Sequence, residues 1–219
     1  MKLKNRLGVI FTVVFIDFLG LSFILPLYPE LANRFGLSTT AVAFLAASYA
    51  LMQFLFSPIL GRISDKIGRK PVLAVTSLGT AASFIFFGLS TSVWMLFLSR
   101  ILNGIFGSSA AVAQAYIADV TGKHERTEGM GVIAAAFGLG LIFGPAMSAF
   151  LGGFGFSGPV FGAAAITLLN SIFILFFLKE SLADESKNRQ SRFKLFDFSP
   201  KEFEEIIRDF SKRERRKGA

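Results

Sequence analysis

Long apolar stretches separated by short polar ones dominate the first 178 residues. Six stretches approach the roughly 20 residues that an α-helix needs to cross a bilayer. Backbone amides inside a bilayer must be satisfied within the segment, so each stretch is predicted to be a helix rather than a strand. The pattern predicts an all-α integral membrane bundle at 8–178, after a short N-terminus at 1–7, with spans at about 8–28, 41–60, 72–90, 94–117, 130–151 and 160–178.

Charge distribution predicts the orientation of these spans. The loops at about 29–40, 91–93 and 152–159 hold Arg34 and Glu30 as their charged residues. By the positive-inside rule, a multi-pass protein of the cell (inner) membrane is expected, with both termini in the cytoplasm. Cations precede the first span and follow the second, fourth and sixth: Lys2, Lys4, Arg6, Arg62, Lys66, Arg69, Lys70, Lys123, Arg126, and most of the remainder after Lys179.

Several classes of function fit the composition poorly. The formal charge of +8 belongs to the inner membrane surface, and no nucleic-acid partner is expected. The chain has no cysteine, and its single histidine, His124, has no second ligand nearby, so no metal site is expected. No nucleophile motif or phosphate-binding glycine loop accompanies it, which disfavours a membrane enzyme. The apolar stretch at the N-terminus is too long for a signal peptide and is predicted to be an uncleaved span.

Composition changes after Lys179, and residues 179–219 are predicted to be a cytoplasmic linker and tail. The run Ser199-Pro200-Lys201-Glu202 has the features of a helix start. Apolar residues follow at helical spacing, and the last residues are strongly basic. An amphipathic helix on the anionic inner leaflet is one interpretation. A solvated helix or an unstructured tether are the others.

Two ionisable residues lie well inside the spans, Asp17 in the first and Arg100 in the fourth. Each costs about 2.5–3.5 kcal/mol to place at a helix centre. Both fall in the central half of the bilayer, so a direct or water-bridged Asp17–Arg100 pair is predicted. The pair would serve either as a static clamp between two helices or as a proton-coupling site, and the second role is favoured.

Other polar and small residues in the spans allow two interpretations each. Gln53, Asn103 and Gln114 are candidates to line a substrate cavity, although helix packing explains each of them alone, as it does Asn170. The fifth span is rich in small residues, and Gly140 with Gly144 forms a face that lets another helix approach closely. Packing or a mobile gate would both suit such a helix.

Four short motifs lie on the predicted spans and in one loop between them. The loop between the second and third spans contains Gly61-x-x-x-Asp65-Lys66-x-Gly68-Arg69-Lys70. The fourth span carries Arg100-x-x-Asn103-Gly104, the first carries Asp17-x-x-Gly20 followed by Pro26 and Pro29, and the fifth has Gly131, Gly140, Gly144 and Pro145. Together these four motifs resemble the major facilitator superfamily, and in particular its drug:proton antiporters, which include bacterial tetracycline and multidrug exporters. The fifth-span glycines and proline fall at the spacings of the antiporter motif, with Ser148-Ala149 in place of the family's double glycine.

The resemblance implies roles for these residues. Asp17 would take up a proton and Arg100 would tune it, so the proton gradient takes the place of a cofactor. Gly61, Asp65, Gly68, Arg69 and Asp119 would form an inner gate that closes the cytoplasmic side. Small-molecule substrates, protons and membrane lipids are the implied partners, and the expected function is export of hydrophobic compounds.

The resemblance also implies a second six-helix half. Family members have two such halves, whereas this chain supplies one, itself a 3+3 repeat, and a tail. The missing half is expected as the C-terminal part of a longer chain, as a separate chain, or as a second copy in a homodimer. The alternative is an inactive or regulatory half-transporter that binds or assembles without transport.

Overall fold

Six helical crossings correspond to the six apolar stretches. The computed structural model describes residues 3–122 and 125–182, where all regular elements are helical and six spans are long and apolar enough to cross a membrane. The all-α prediction with six spans is confirmed, while the predicted tail helix lies outside the described residues. The elements are α1 (Leu3–Ser22), a 3₁₀ turn (Leu25–Leu27), α2 (Tyr28–Phe35), α3 (Thr39–Ile67), α4 (Arg69–Gly88), α5 (Val93–Phe106), α6 (Ser109–Val120), α7 (Arg126–Gly152) and α8 (Ser157–Phe177).

The first crossing is interrupted after α1. Pro26 and Pro29 have no backbone N–H to donate, so the helical ladder passes through the 3₁₀ turn into α2. Ser148 of α7 donates its hydroxyl to the Phe23 carbonyl at 2.8 Å, in the middle of this interruption. The serine that replaces a family glycine therefore satisfies a backbone acceptor that the break leaves free.

The fourth crossing is also interrupted, between α5 and α6. Gly107 and Ser108 separate the two helices, and glycine and serine are weak helix formers. Gln53 of α3 donates its amide to the Gly107 carbonyl at 3.0 Å, and the Ser108 hydroxyl donates to the Gly104 carbonyl at 3.0 Å. Because these donors supply partners for backbone carbonyls at the break, it is tolerated at membrane depth.

The predicted loop at 61–70 is mostly helical, so that detail of the prediction is wrong. α3 has 29 residues and continues to Ile67, and Gly68 alone separates it from α4. A helix of that length extends about 44 Å, beyond the ~30 Å hydrocarbon core, so its polar last turns lie outside the core. Gly68 has a φ of +123°, which glycine adopts without a Cβ penalty and which reverses the chain in one residue.

Helix pairs α1–α7 and α4–α8 form the main packing contacts of the bundle. Apolar side chains fill two buried clusters, one around Ile10, Val72 and Ile117 and the other around Phe84 and Val160. Serine hydroxyls add cross-helix bonds between α4 and α8: Ser77 donates to Thr167 O and Ser171 donates to Ala74 O, each at 3.0 Å.

Small residues of α7 bring it close to α1. A Cβ at Gly140 would lie 2.9 Å from the Leu19 nitrogen, and one at Gly144 would overlap Ser22. These two glycines therefore act in packing. Gly131 of the same motif differs, because its position is exposed and a Cβ there would meet nothing within 4 Å, so it takes no part in this contact with α1. Pro145 lies inside α7 without ending the helix.

Gly144→Ala should destabilise the bundle by about 1–3 kcal/mol, because the added methyl overpacks against Ser22. Gly138→Ala is the matched control on the same helix, since open space surrounds its Cβ position and alanine favours the helix by up to about 1 kcal/mol. Thermal unfolding of both variants in detergent measures the difference. Equal melting temperatures would contradict the close α1–α7 contact.

Candidate functional site

Asp17 lies in the second half of α1, near the middle of the first span, and residues from two other spans donate hydrogen bonds to its carboxylate. The Ser109 hydroxyl of α6 donates to Oδ2 at 2.7 Å. The Asn170 amide of α8 donates to Oδ1 at 2.9 Å and also to the Val13 carbonyl at 3.0 Å. We call Asp17, Ser109 and Asn170 the Asp17 site; it joins the first, fourth and sixth spans.

The break in the fourth span also affects the electrostatics of this site. Ser109 is the first residue of α6, so the carboxylate lies beside the N-terminal end of a helix of 12 residues. That end carries a partial positive charge and favours an anion. Both hydrogen-bonding neighbours are donors, which suit an ionised carboxylate that accepts at both oxygens.

Arg100 is 2% exposed and lies in a cage of aromatic residues. Its guanidinium donates to the Tyr28 hydroxyl at 3.0 Å. The guanidinium carbon is 4.9 Å from the ring centroid of Phe87, 5.3 Å from that of Tyr28 and 5.9 Å from that of Tyr49. Cation–π attraction in this desolvated place contributes up to about 2 kcal/mol per ring.

The predicted direct Asp17–Arg100 pair is therefore not formed. Asp17 accepts from Ser109 and Asn170, while Arg100 donates to Tyr28. Depth along a helix can be read from the sequence, but the direction of a side chain around the helix axis depends on packing, and here it separates the two charges. Tyr49 is near both groups, since its ring centroid is 5.9 Å from the Arg100 guanidinium carbon and it lines the cavity beside Asp17.

A small cavity of about 20 Å³, lined by both polar and apolar side chains, lies beside Asp17. This volume is enough for one water molecule. Asn103 lines it, and the Asn103 amide nitrogen is buried without a hydrogen-bond partner among the described residues. The remaining lining residues are Phe18, Leu21, Tyr49, Thr80, Phe84, Gly107 and Ser109.

The other two residues predicted to line a substrate cavity, Gln53 and Gln114, do not line this small one. Gln53 donates to Gly107 O, so its amide joins α3 to the break in the fourth span and serves helix packing. Gln114 is exposed on α6 and does not line this cavity. The sequence could not separate these cases, because all three amides share the same residue chemistry and the same membrane depth.

A second set of charged side chains lies where α3 and α6 end and α4 begins. The Arg69 guanidinium forms ion pairs with Asp65 and with Asp119, the latter at 2.9 Å. It also donates to the Ser64 hydroxyl at 2.6 Å and to the Gly61 carbonyl at 3.3 Å. The structure thus brings together the residues that the sequence assigned to the inner gate.

Glu180, just after α8, was missed by the sequence reasoning. Its carboxylate accepts from the backbone N–H groups of Arg69 at 2.9 Å and Lys70 at 3.1 Å, which are the first two residues of α4. The next residue, Ser181, donates its hydroxyl to Asp119 at 3.1 Å. One signal was available, because Gly68 cannot cap α4 with a side chain and an acid elsewhere had to do so. We call Ser64, Asp65, Arg69, Asp119, Glu180 and Ser181 the Arg69 cluster.

A family model described as the Major Facilitator Superfamily matches residues 10–215. The chain belongs to the Major Facilitator Superfamily. It is 40% identical over 184 residues to the class E tetracycline resistance protein of Escherichia coli, covering 80% of this chain and 45% of that protein. It is 36% identical over 189 residues to multidrug resistance protein 2 of Bacillus subtilis (strain 168), covering 86% of this chain and 47% of that protein.

A solved structure agrees with this assignment. The crystal structure of the human organic anion transporter MFSD10 (TETRAN) has a TM-score of 0.75 and 26% identity, over 85% of this chain and 50% of that chain. The chain spans about half the length of the curated relatives it matches. This superfamily member is therefore a multi-pass membrane protein with six crossings among its described residues, and its relatives include transporters and resistance proteins.

The superfamily loop motif holds two glycines with opposite tolerances. Gly68→Ala should destabilise the chain by about 2–3 kcal/mol, because a Cβ there meets the Glu180 carboxylate and φ is +123°. Gly61→Ala should be neutral or stabilise the chain by up to about 1 kcal/mol, since Gly61 lies inside α3 and its Cβ position is open. Thermal unfolding of the two single variants checks this contrast. A neutral Gly68→Ala would show that Glu180 does not approach the start of α4.

Proposed function

We propose that this chain is the N-terminal six-helix half of a proton-coupled exporter of hydrophobic small molecules, working with a second six-helix half. The observation that carries the proposal is the Asp17 carboxylate, hydrogen-bonded by Ser109 and Asn170 beside a small cavity near the middle of the first span. Ionisable groups at this depth are costly and usually serve ion or proton movement. The tetracycline and multidrug resistance proteins among the relatives support export.

Asp17 is the proton carrier in this proposal. In its ionised form it accepts the two hydrogen bonds, and on protonation it loses the charge that strengthens them. Arg100 acts from a distance as a fixed positive charge, because its guanidinium bonds Tyr28 rather than Asp17. The protein uses the proton gradient and needs no bound cofactor for this step.

The Arg69 cluster is the cytoplasmic gate in the same proposal. The positive-inside rule puts this end of α3, α4 and α6 in the cytoplasm, together with both termini of the chain. Arg69 of α4 is 4% exposed and its guanidinium bonds groups of α3 and α6, so it holds these helix ends together. Separating them would open a path on the cytoplasmic side of the cell membrane.

Large apolar faces of the described bundle stay uncovered, and a second half would cover part of them. α3 is almost entirely unburied and exposes Phe44, Leu51 and Phe54, and α7 exposes Ile142 and Phe150. Contiguous exposed apolar surface of this kind marks a lipid-facing or partner-facing surface. The half-length match to the relatives supports a partner half, either as a further part of the chain, a separate chain or a second copy.

Substrate-driven proton flux in proteoliposomes tests the proposal. One arm contains this chain alone, which permits pairs of copies, and the other adds the C-terminal half of the class E tetracycline resistance protein. Tetracycline and ethidium are the probes, and a proton gradient with an acidic vesicle lumen is the driving force. Gradient-dependent accumulation in either arm supports the exporter. Probe binding without gradient-driven accumulation in both arms would instead identify a half-transporter that binds without transport.

A further inference from the structure

The helix α6 contacts both of the charged sites. Its first residue, Ser109, donates to Asp17, and Asp119, next to its last residue, pairs with Arg69. A helix of 12 residues extends about 18 Å. The carboxylate in the middle of the first span and the charged cluster at the helix ends are therefore joined by one rigid element.

The interruption of the fourth span frees this helix from α5. On the α5 side, Arg100 is held by Tyr28 and the surrounding aromatic rings. On the α6 side, Ser109 and Asp119 bond other helices. Gly107 and Ser108 lie between the two parts, so α6 can shift along or around its axis while α5 stays in place.

We infer that α6 is the coupling helix of this protein, which transmits the charge state of Asp17 to the Arg69 cluster through Ser109 at one end and Asp119 at the other. The inference rests on the proposed function and deepens it by assigning Ser109 as a positioning residue. When Asp17 is ionised, its charge-assisted bond and the helix N-terminus hold α6 in the described position. When Asp17 is neutral, both attractions weaken and the Arg69–Asp119 pair loses its alignment.

Few other titratable groups face Asp17. Tyr49 of α3 lines the same cavity, and the Arg100 guanidinium carbon of α5 is 5.9 Å from the Tyr49 ring centroid. Residues 157–177 of α8 contain no acidic or basic residue. The charged residues of α7 are Arg126 and Glu128, which lie in its first turn. On α6, Tyr116 belongs to the buried apolar cluster around Ile10, Val72 and Ile117, and Asp119 belongs to the Arg69 cluster. Asp17 is therefore the carboxylate through which pH acts on the start of α6.

A pair of spin labels measures this coupling in the chain itself. The chain has no cysteine, so Ile67→Cys and Gly122→Cys give a labelled pair without background. Ile67 is exposed at the end of α3, and Gly122 is exposed just after α6. The distance between the labels should change when the pH is lowered, and Asp17→Asn should give the low-pH distance at every pH.

Ser109→Ala is the decisive variant, and Ser108→Ala is its matched control. Both remove one buried hydroxyl at the same break, but the Ser108 hydroxyl bonds the Gln53 and Gly104 carbonyls and not Asp17. Lowering the pH should shift the ratio between molecules with the high-pH label distance and molecules with the low-pH label distance. Ser109→Ala should reduce this shift by about fivefold or more, a typical size for coupling between sites. Ser108→Ala should leave that change as it is in the parent.

Ala115→Gly provides a second test that keeps both end contacts. Glycine softens the middle of α6, so the pH response should shrink although Ser109 and Asp119 are intact. A pH response that needs Asp17 but survives Ser109→Ala and Ala115→Gly would overturn the coupling helix and leave the proposed function standing. A pH-dependent label distance that is unchanged by Asp17→Asn would overturn both the coupling helix and the proposed function.

Discussion

Asp17→Asn should reduce gradient-driven accumulation of tetracycline or ethidium, in whichever assembly transports them, to the level measured without a gradient. Asparagine preserves the size of the side chain and can still accept from Ser109, yet it cannot bind or release a proton. Binding of the probe should persist, because the amide disturbs only the two donor contacts of Asp17. Accumulation and equilibrium binding, measured on the same vesicles, separate the two effects.

Two controls make this result interpretable. Asp17→Glu keeps a titratable group and should retain part of the gradient-driven accumulation, although the longer side chain disturbs the Ser109 and Asn170 contacts. Gln114→Ala changes an exposed polar residue of α6 that does not line the cavity. Full accumulation by Asp17→Asn would remove this carboxylate from the mechanism.

Arg69→Ala is expected to destabilise the chain by about 2–3 kcal/mol. It removes a guanidinium that is 4% exposed and leaves the Asp65 and Asp119 carboxylates facing each other without a cation. Breaking a fully buried pair costs about 3–5 kcal/mol and an exposed pair at most about 1 kcal/mol. The side chains of Asp65 and Asp119 are 34% and 26% exposed, so an intermediate value is expected.

Thermal unfolding and thiol labelling together test the role of Arg69. In a Ser64→Cys background, labelling should be faster with Arg69→Ala, because Ser64 is fully buried and its hydroxyl bonds Arg69. Lys66→Ala is the control, an exposed cation one turn earlier on α3. Arg69→Lys should be intermediate, since an ammonium cannot present the planar donors that contact both carboxylates at once. Unchanged labelling in Arg69→Ala would show that this cluster does not close the helix ends.

The loop motif shows how far sequence reasoning extends. Asp65 and Arg69 lie four residues apart and were expected to meet, and Asp119 was expected to join them. Spacing alone does not account for the first contact, because Asp65 lies in the last turn of α3 and Arg69 begins α4, so the chain reversal at Gly68 brings the two side chains together. Glu180 was not expected, since it is separated from Arg69 by 111 positions along the chain and follows the last span. A contact over such a separation depends on how α4 and α8 pack.

Asp17 and Arg100 mark the opposite limit. Hydropathy and helix rise placed both at membrane depth, and a charge in that place is costly enough to indicate a role. The sequence also determined the six crossings, their helical nature and the positions of the motif residues, because these follow from segment length and local spacing. The tertiary structure decided that Ser109 and Asn170 bond Asp17, that aromatic rings surround Arg100, and that α6 joins the two charged sites. Each helix can rotate and tilt without changing its apolar length, so the partners of a buried side chain follow from packing between helices, which no single segment encodes.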